Sequence, residues 1–131
     1  MNLIFIGQFV SKKESLNNIN YSQAANLYQI KFLKLIKPKI AISIIPIFVN
    51  KKNNFSFKNY TVNFIYNPFL KNNLINKLLR LYKDTKQTLK IITSSKINDI
   101  WLYNITISTV FIVYYLQLFT NKKVFVLVAD Y

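Results

Sequence analysis

Apolar residues in this chain gather into five short, nearly unbroken runs, and most of the stretches between them carry apolar residues at helical spacing. The first run, Leu3 to Ile6 within Asn2 to Val10, is continuous rather than alternating, the pattern of a strand covered on both faces. A polar loop, Ser11 to Asn20, leads into a helix capped by Asn20 or Ser22 and stopped by Pro38. On that helix Ala24, Ala25, Tyr28, Phe32, Leu35 and Ile36 share one face, which predicts its buried side, while Asn26, Lys34 and Lys37 point away. Lys39 to Val49 reads as a second strand, with Pro46 at its far end or at a bulge. After a turn-rich connection from Asn50 to Asn59, Tyr60 to Pro68 is a third strand, β-branched and aromatic, closed by Asn67-Pro68.

A long amphipathic helix follows, from about Leu70 to Lys90. Leu74, Leu78, Leu81, Tyr82, Thr85 and Leu89 line one face, and Lys71, Lys77, Arg80, Lys83, Lys86 and Lys90 dominate the rest. Asp99 to about Ile105 is a fourth strand and Ser108 to Thr120 an apolar, buried helix. The fifth strand lies in Lys122 to Tyr131, where the unbroken string Val124 to Ala129 has the look of an innermost strand. The order is β-α-β-β-α-β-α-β. Helices alternating with continuous apolar strands imply right-handed crossovers and a parallel sheet. The predicted fold class is therefore α/β: one Rossmann-like three-layer domain over residues 1–131, with a mostly parallel sheet of about five strands.

Ile100 to Thr120 contains no charged residue, and a bilayer span needs about 20 residues. One reading is a transmembrane helix flanked by Lys122 and Lys123. A strand followed by a buried helix fits better: Asn104 interrupts the run, Trp101 to Tyr103 is strand-like, and Ile105 to Ser108 alternates. Residue two already begins the first apolar run, without the basic segment or small-residue cleavage site of a secretory signal.

Composition narrows the chemistry. Hydrophobic residues make up 52% of the chain, enough for a core, and a single glycine and three prolines argue against low complexity. With neither cysteine nor histidine, disulfides, thiolate metal sites and Ser-His-Asp or Cys-His mechanisms are excluded. The acids are Glu14, Asp84, Asp99 and Asp130, too few and too scattered to predict a metal site. Acid-base work would fall to a carboxylate, a lysine or a tyrosine. Net charge is +14, and all but one of the 18 basic residues are lysine. Such a surface attracts polyanions: nucleic acid, anionic membrane or phosphorylated substrates. An AT-rich coding bias, which raises Lys, Asn and Ile together, accounts for it equally well. The solitary arginine weakens the nucleic-acid reading. The lysines of Leu70 to Lys90 could rest on anionic lipid, or form a solvated helix face.

In an open parallel sheet, ligands bind beyond the carboxyl ends of the strands. That rule selects Gly7 and Gln8 after the first strand, Tyr21 and Ser22 at the following helix start, and Pro46 to Asn50 after the second. It adds Asn67 after the third, Asn104 and Ser108 after the fourth, and Asp130 with Tyr131 after the fifth. Gly7 would permit close backbone approach, and the helix start offers N–H groups to an anion. Neither GxGxxG nor GxxxxGK[ST] is present, so no dinucleotide or P-loop cofactor is expected. Asp130 could orient a sugar hydroxyl, serve as a base, or cap a further helix. A parallel strand normally feeds a helix, so the chain reads as an incomplete domain.

Taken together, MNLIFIGQFV, NYSQAANLYQIKFLKLIKPK, IWLYNI and KKVFVLVADY resemble the N-terminal half of a GT-B-fold glycosyltransferase of the kind that builds capsular or exopolysaccharide. The resemblance spans most of the chain. It implies an acceptor-side domain whose donor-binding partner domain is absent. The whole enzyme would transfer a sugar from a nucleotide-sugar to a cell-surface saccharide or lipid-linked acceptor, at the cytoplasmic side of the plasma membrane. Gly7 and Gln8 match the family's first-loop position, and Asn104 and Asp130 its strand ends facing the cleft. The family's glycine pair is reduced here to Gly7 alone, and its cleft histidine is missing. The resemblance leaves the catalytic residues unknown, and the donor domain could be a separate chain. Two other classes remain open: a basic nucleic-acid-binding domain, and a small membrane-anchored protein.

Overall fold

A computed structural model describes residues 1–11, 14, 22–49, 55, 57 and 60–129. Among the described residues, five strands, β1 (Leu3–Gly7), β2 (Ile40–Ile44), β3 (Val62–Ile65), β4 (Asp99–Tyr103) and β5 (Lys123–Leu127), and three helices of ten residues or more, α1 (Gln23–Ile36), α2 (Leu74–Ser94) and α3 (Val110–Phe119), follow in the order β1-α1-β2-β3-α2-β4-α3-β5. The sheet order is β3-β2-β1-β4-β5 and every pairing is parallel. This is the expected Rossmann-like α/β architecture.

Alternation along each strand divides the core between two layers. Ile4, Ile6, Ile42, Ile44, Ile100 and Leu102 face one side, where they pack with Ile92 of α2 and Ile112 and Leu116 of α3. Leu3, Phe5, Ala41 and Tyr103 face the other, against Ile30, Leu33 and Ile36 of α1. Phe57 and Tyr60, from the β2–β3 connection, pack on this second layer. β1 is buried at all five positions, as a central strand with both faces covered should be. Each fully buried Ile or Phe contributes about 1.5–3 kcal/mol, so β1 anchors the domain.

Four expectations are corrected. α1 buries Asn26, Gln29, Ile30, Leu33 and Ile36, whereas Ala24, Tyr28 and Leu35 are exposed. Its inward stripe begins with two amides, which a count of apolar residues passes over. On α2 the buried stripe runs Arg80, Leu81, Asp84, Thr88 and Ile92, so Arg80 lies inside rather than among the lysines, and Leu74, Leu78 and Tyr82 are exposed. α3 buries Ile112 and Leu116 alone and presents apolar side chains outward. β5 is an edge strand, with Phe125 exposed. No helix among the described residues is long and apolar enough to cross a membrane, and Ile100 to Thr120 is a strand, a turn and a helix.

Candidate functional site

β1 and β4 are neighbours in the sheet, but the helices that follow them lie on opposite faces. Their outgoing loops therefore diverge, and a crevice opens at the strand tips.

The loop leaving β1 has no neighbouring strand to pair with, and side chains take that place. Gln8 N–H donates to Gln29 Oε1 at 2.8 Å, and Gln29 Nε2 donates to Gln8 O at 3.0 Å. Phe9 N–H donates to Ser43 Oγ at 2.9 Å, and that hydroxyl donates to Phe9 O at 2.5 Å. Val10 N–H donates to Asn26 Oδ1 at 2.8 Å, and Asn26 Nδ2 donates to Val10 O at 2.9 Å. Each of three successive residues thus has both backbone groups satisfied by one side chain. Asn26, Gln29 and Ser43 are buried, and in that environment an unmade bond would cost about 1–3 kcal/mol.

Gly7 makes this possible. A Cβ there would collide with Gln29 Oε1 and stand 3.0 Å from the Phe9 ring. Its φ is not positive, so the glycine answers a need for space rather than for backbone freedom. The close approach expected at this position is made by the Gln29 side chain.

On the far side of the crevice, Asn104 adopts the left-handed conformation at φ 55°, which Asn tolerates better than most residues. Asn104 N–H donates to Leu127 O, and its Oδ1 accepts from Ala129 N–H at 3.1 Å, extending the β4–β5 pairing past the strand ends. Thr106 N–H donates to Thr109 Oγ1 at the start of α3. Gln8 Nε2 donates to Thr106 Oγ1 at 2.9 Å and ties the two divergent loops together.

The third wall is the segment after β2. Arg80 reaches in from α2 and donates to four carbonyls, those of Ile45, Pro46, Ile47 and Val49, at 2.9–3.2 Å. Its guanidinium also lies 5.3 Å from the centre of the Tyr66 ring and 5.8 Å from that of Phe69, distances suited to cation–π attraction. So held, the segment presents Pro46 and Phe48 to the crevice.

The result is a pocket of about 140 Å³ bounded by Gln8, Ser22, Asn26, Gln29, Phe48, Tyr103, Asn104 and Thr106, with Ala25 and Pro46. Its described lining holds amides, hydroxyls and rings, and no charged side chain. Ser22 is the N-cap of α1, its Oγ accepting from Ala25 N–H. Tyr103 is 4% exposed and its hydroxyl has no hydrogen-bond partner among the described residues.

Gln8, Ser22 and Asn104 are thus brought together in one lining. Tyr21 and Asp130 lie outside the described residues. Asn67 belongs to a separate cluster: its Nδ2 donates to Asp84 Oδ1 at 2.7 Å and to Gln87 Oε1 at 3.0 Å. Asp84 is 1% exposed, and its Oδ2 stands 3.9 Å from Arg80 Nε. Burial raises its carboxyl to about 6, against the opposing pull of the Asn67 hydrogen bond and the Arg80 charge. Among the described residues, no three groups of metal-ligating type cluster. Sequence reasoning missed Asn26, Gln29, Ser43, Tyr103 and Thr106. The available signal was polar residues inside apolar stretches, as with Ser43 in IAISI. No family model, curated protein or solved structure matches this chain.

Proposed function

We propose that this chain is the acceptor-binding portion of a glycosyltransferase, and that the crevice beyond β1 and β4 holds the sugar end of a saccharide or lipid-linked acceptor. The observation that carries the reading is a pocket at the sheet's switch point whose described lining is amides, hydroxyls and rings, with no charged side chain. Primary amides and hydroxyls both donate and accept, which suits the hydroxyls of a sugar ring. The Phe48 and Tyr103 rings offer apolar surface to its C–H faces. A carboxylate or phosphate would find no counter-charge in the described lining. At about 140 Å³ the pocket is smaller than the ~300–1,000 Å³ of drug-sized sites, so it suits one terminal sugar better than a dinucleotide. The described lining also holds no carboxylate and no lysine, in keeping with a chain that binds the acceptor without turning it over. An acceptor carried on lipid would place this work at the cytoplasmic face of a membrane.

A saccharide array, followed by titration calorimetry on any hit, tests the reading. Binding is expected to weaken about tenfold in Gln8→Ala, which removes an amide of the lining. Failure of the wild-type chain to bind any saccharide overturns the proposal, and sugar transfer by the purified chain alone overturns its restriction to acceptor binding.

A further inference from the structure

The outer side of the α2–α3 layer is the largest feature that the pocket leaves unexplained. On α3, Phe111, Tyr114, Leu118 and Phe119 are each more than half exposed. Residues 111, 114 and 118 recur at helical spacing, so they form one outward face. α2 adds Leu74, Ile75, Leu78 and Tyr82, all more than half exposed. A depression of about 380 Å³, lined by Leu78, Leu81, Tyr82, Thr85 and Phe111, joins the two helices. Exposed apolar area this continuous marks an interaction surface.

Charge identifies what it meets. Lys83, Lys86 and Lys90 follow along the exposed side of α2, and Lys71 stands exposed before it. The described acids do not compensate: Asp84 is buried, Asp99 is in register with Leu3 on the α1 side of the sheet, and Glu14 lies in the β1–α1 loop. An apolar face of tyrosine, phenylalanine and leucine bordered by lysine matches a lipid interface, where rings settle at headgroup depth and lysines meet anionic headgroups. A second copy would bring the two lysine borders against each other, in a chain already at +14.

We propose that the α2–α3 face docks on a bilayer surface rich in acidic phospholipid, using inserted side chains and lysines together. Charge alone supplies about fivefold in partition per lysine; the apolar face adds the second signal that stable peripheral binding needs. The proposal rests on this face and not on the pocket, so it stands or falls independently of the saccharide reading.

Co-sedimentation with vesicles of phosphatidylcholine, alone or mixed with phosphatidylglycerol, at low and high salt, tests it. The full chain is expected to pellet with the mixed vesicles and to remain with them in part at high salt. Phe111→Ser and Leu118→Ser should each weaken partition about tenfold, and Lys83→Ala, Lys86→Ala or Lys90→Ala about fivefold each. These side chains are exposed, so the circular dichroism melts of the variants should match wild type. Lys31→Ala and Lys34→Ala on α1, exposed on the other side of the sheet, should leave partition unchanged. Three outcomes overturn the proposal: no pelleting with mixed vesicles; binding abolished by salt and indifferent to Phe111→Ser and Leu118→Ser; or a dimer in light scattering that those same substitutions dissolve.

Discussion

Replacing Gly7 by alanine tests the construction of the β1–α1 loop directly. The backbone at Gly7 suits any residue, since its φ is not positive, and alanine in place of glycine normally gains about 0.4–1 kcal/mol by restricting the unfolded chain. Against that, the new methyl collides with Gln29 Oε1. Gln29 must swing away, and Gln8 loses the partners of both its N–H and its C=O. These groups are partly buried, and at about 1–3 kcal/mol per stranded group the loss is about 2–4 kcal/mol. The net cost of Gly7→Ala is then about 2 kcal/mol, a large share of the ~5–15 kcal/mol that holds a domain together. Gln29→Ala should cost about 2–4 kcal/mol for the same reason. The decisive measurement is the double variant. Once Gln29 is truncated the methyl meets only the Phe9 and Phe5 rings, at 3.0 and 3.2 Å, which must give by a few tenths of an ångström, so Gly7→Ala should become close to neutral. The coupling between the two sites should come to about 2 kcal/mol. Urea titration of the four proteins, with slopes unchanged between them, supplies the numbers. Costs that simply add would refute the argument, because they would mean that Gln29 does not occupy the space beside Gly7.

Arg80→Met should destabilise by about 3–5 kcal/mol, because it frees four carbonyls and leaves Asp84 buried without a counter-charge; urea unfolding at neutral pH measures it. Asp84 sits at about 6 in the folded protein against an ordinary 3.8, so across that window the folded state holds a proton that the unfolded chain has released, and stability falls as pH rises. The drop is about 3 kcal/mol between about pH 4 and 6, and Asp84→Asn should remove it; an identical pH profile for wild type and variant would contradict the assignment. Tyr103→Phe should leave the unfolding midpoint unchanged or slightly raised, because the hydroxyl it deletes has no partner among the described residues.

Element order was legible because each strand is a nearly unbroken apolar run, and such runs survive tertiary context. Ser22 was legible as a cap because its position before a helical pattern leaves it little else to do. The inward face of α1 was not. Apolar counting assigns Tyr28 and Leu35 to the core, yet the sheet and loop require amides at positions 26 and 29, and the helix turns to deliver them. Arg80 misleads in the same way: among five lysines it looks like one more solvated cation, and only the bare carbonyls after β2 explain its burial. The string Val124 to Ala129 reads as central because hydrophobicity reports what a strand could be covered by, and the edge position of β5 is a property of the whole sheet. The pocket was located by topology, through Gln8, Ser22 and Asn104; its remaining walls come from residues far apart in the chain.

The borrowed partners of Gln8, Phe9 and Val10 have a dynamic consequence. Amide protons exchange with solvent only when their bonds open, and these three are bonded to side chains seated in the core. Deuterium uptake should therefore be as slow across them as across Leu3 to Gly7, although no strand lies alongside. A segment with the outline of a loop would carry the protection of a sheet, and one rim of the crevice would keep its shape whether occupied or empty.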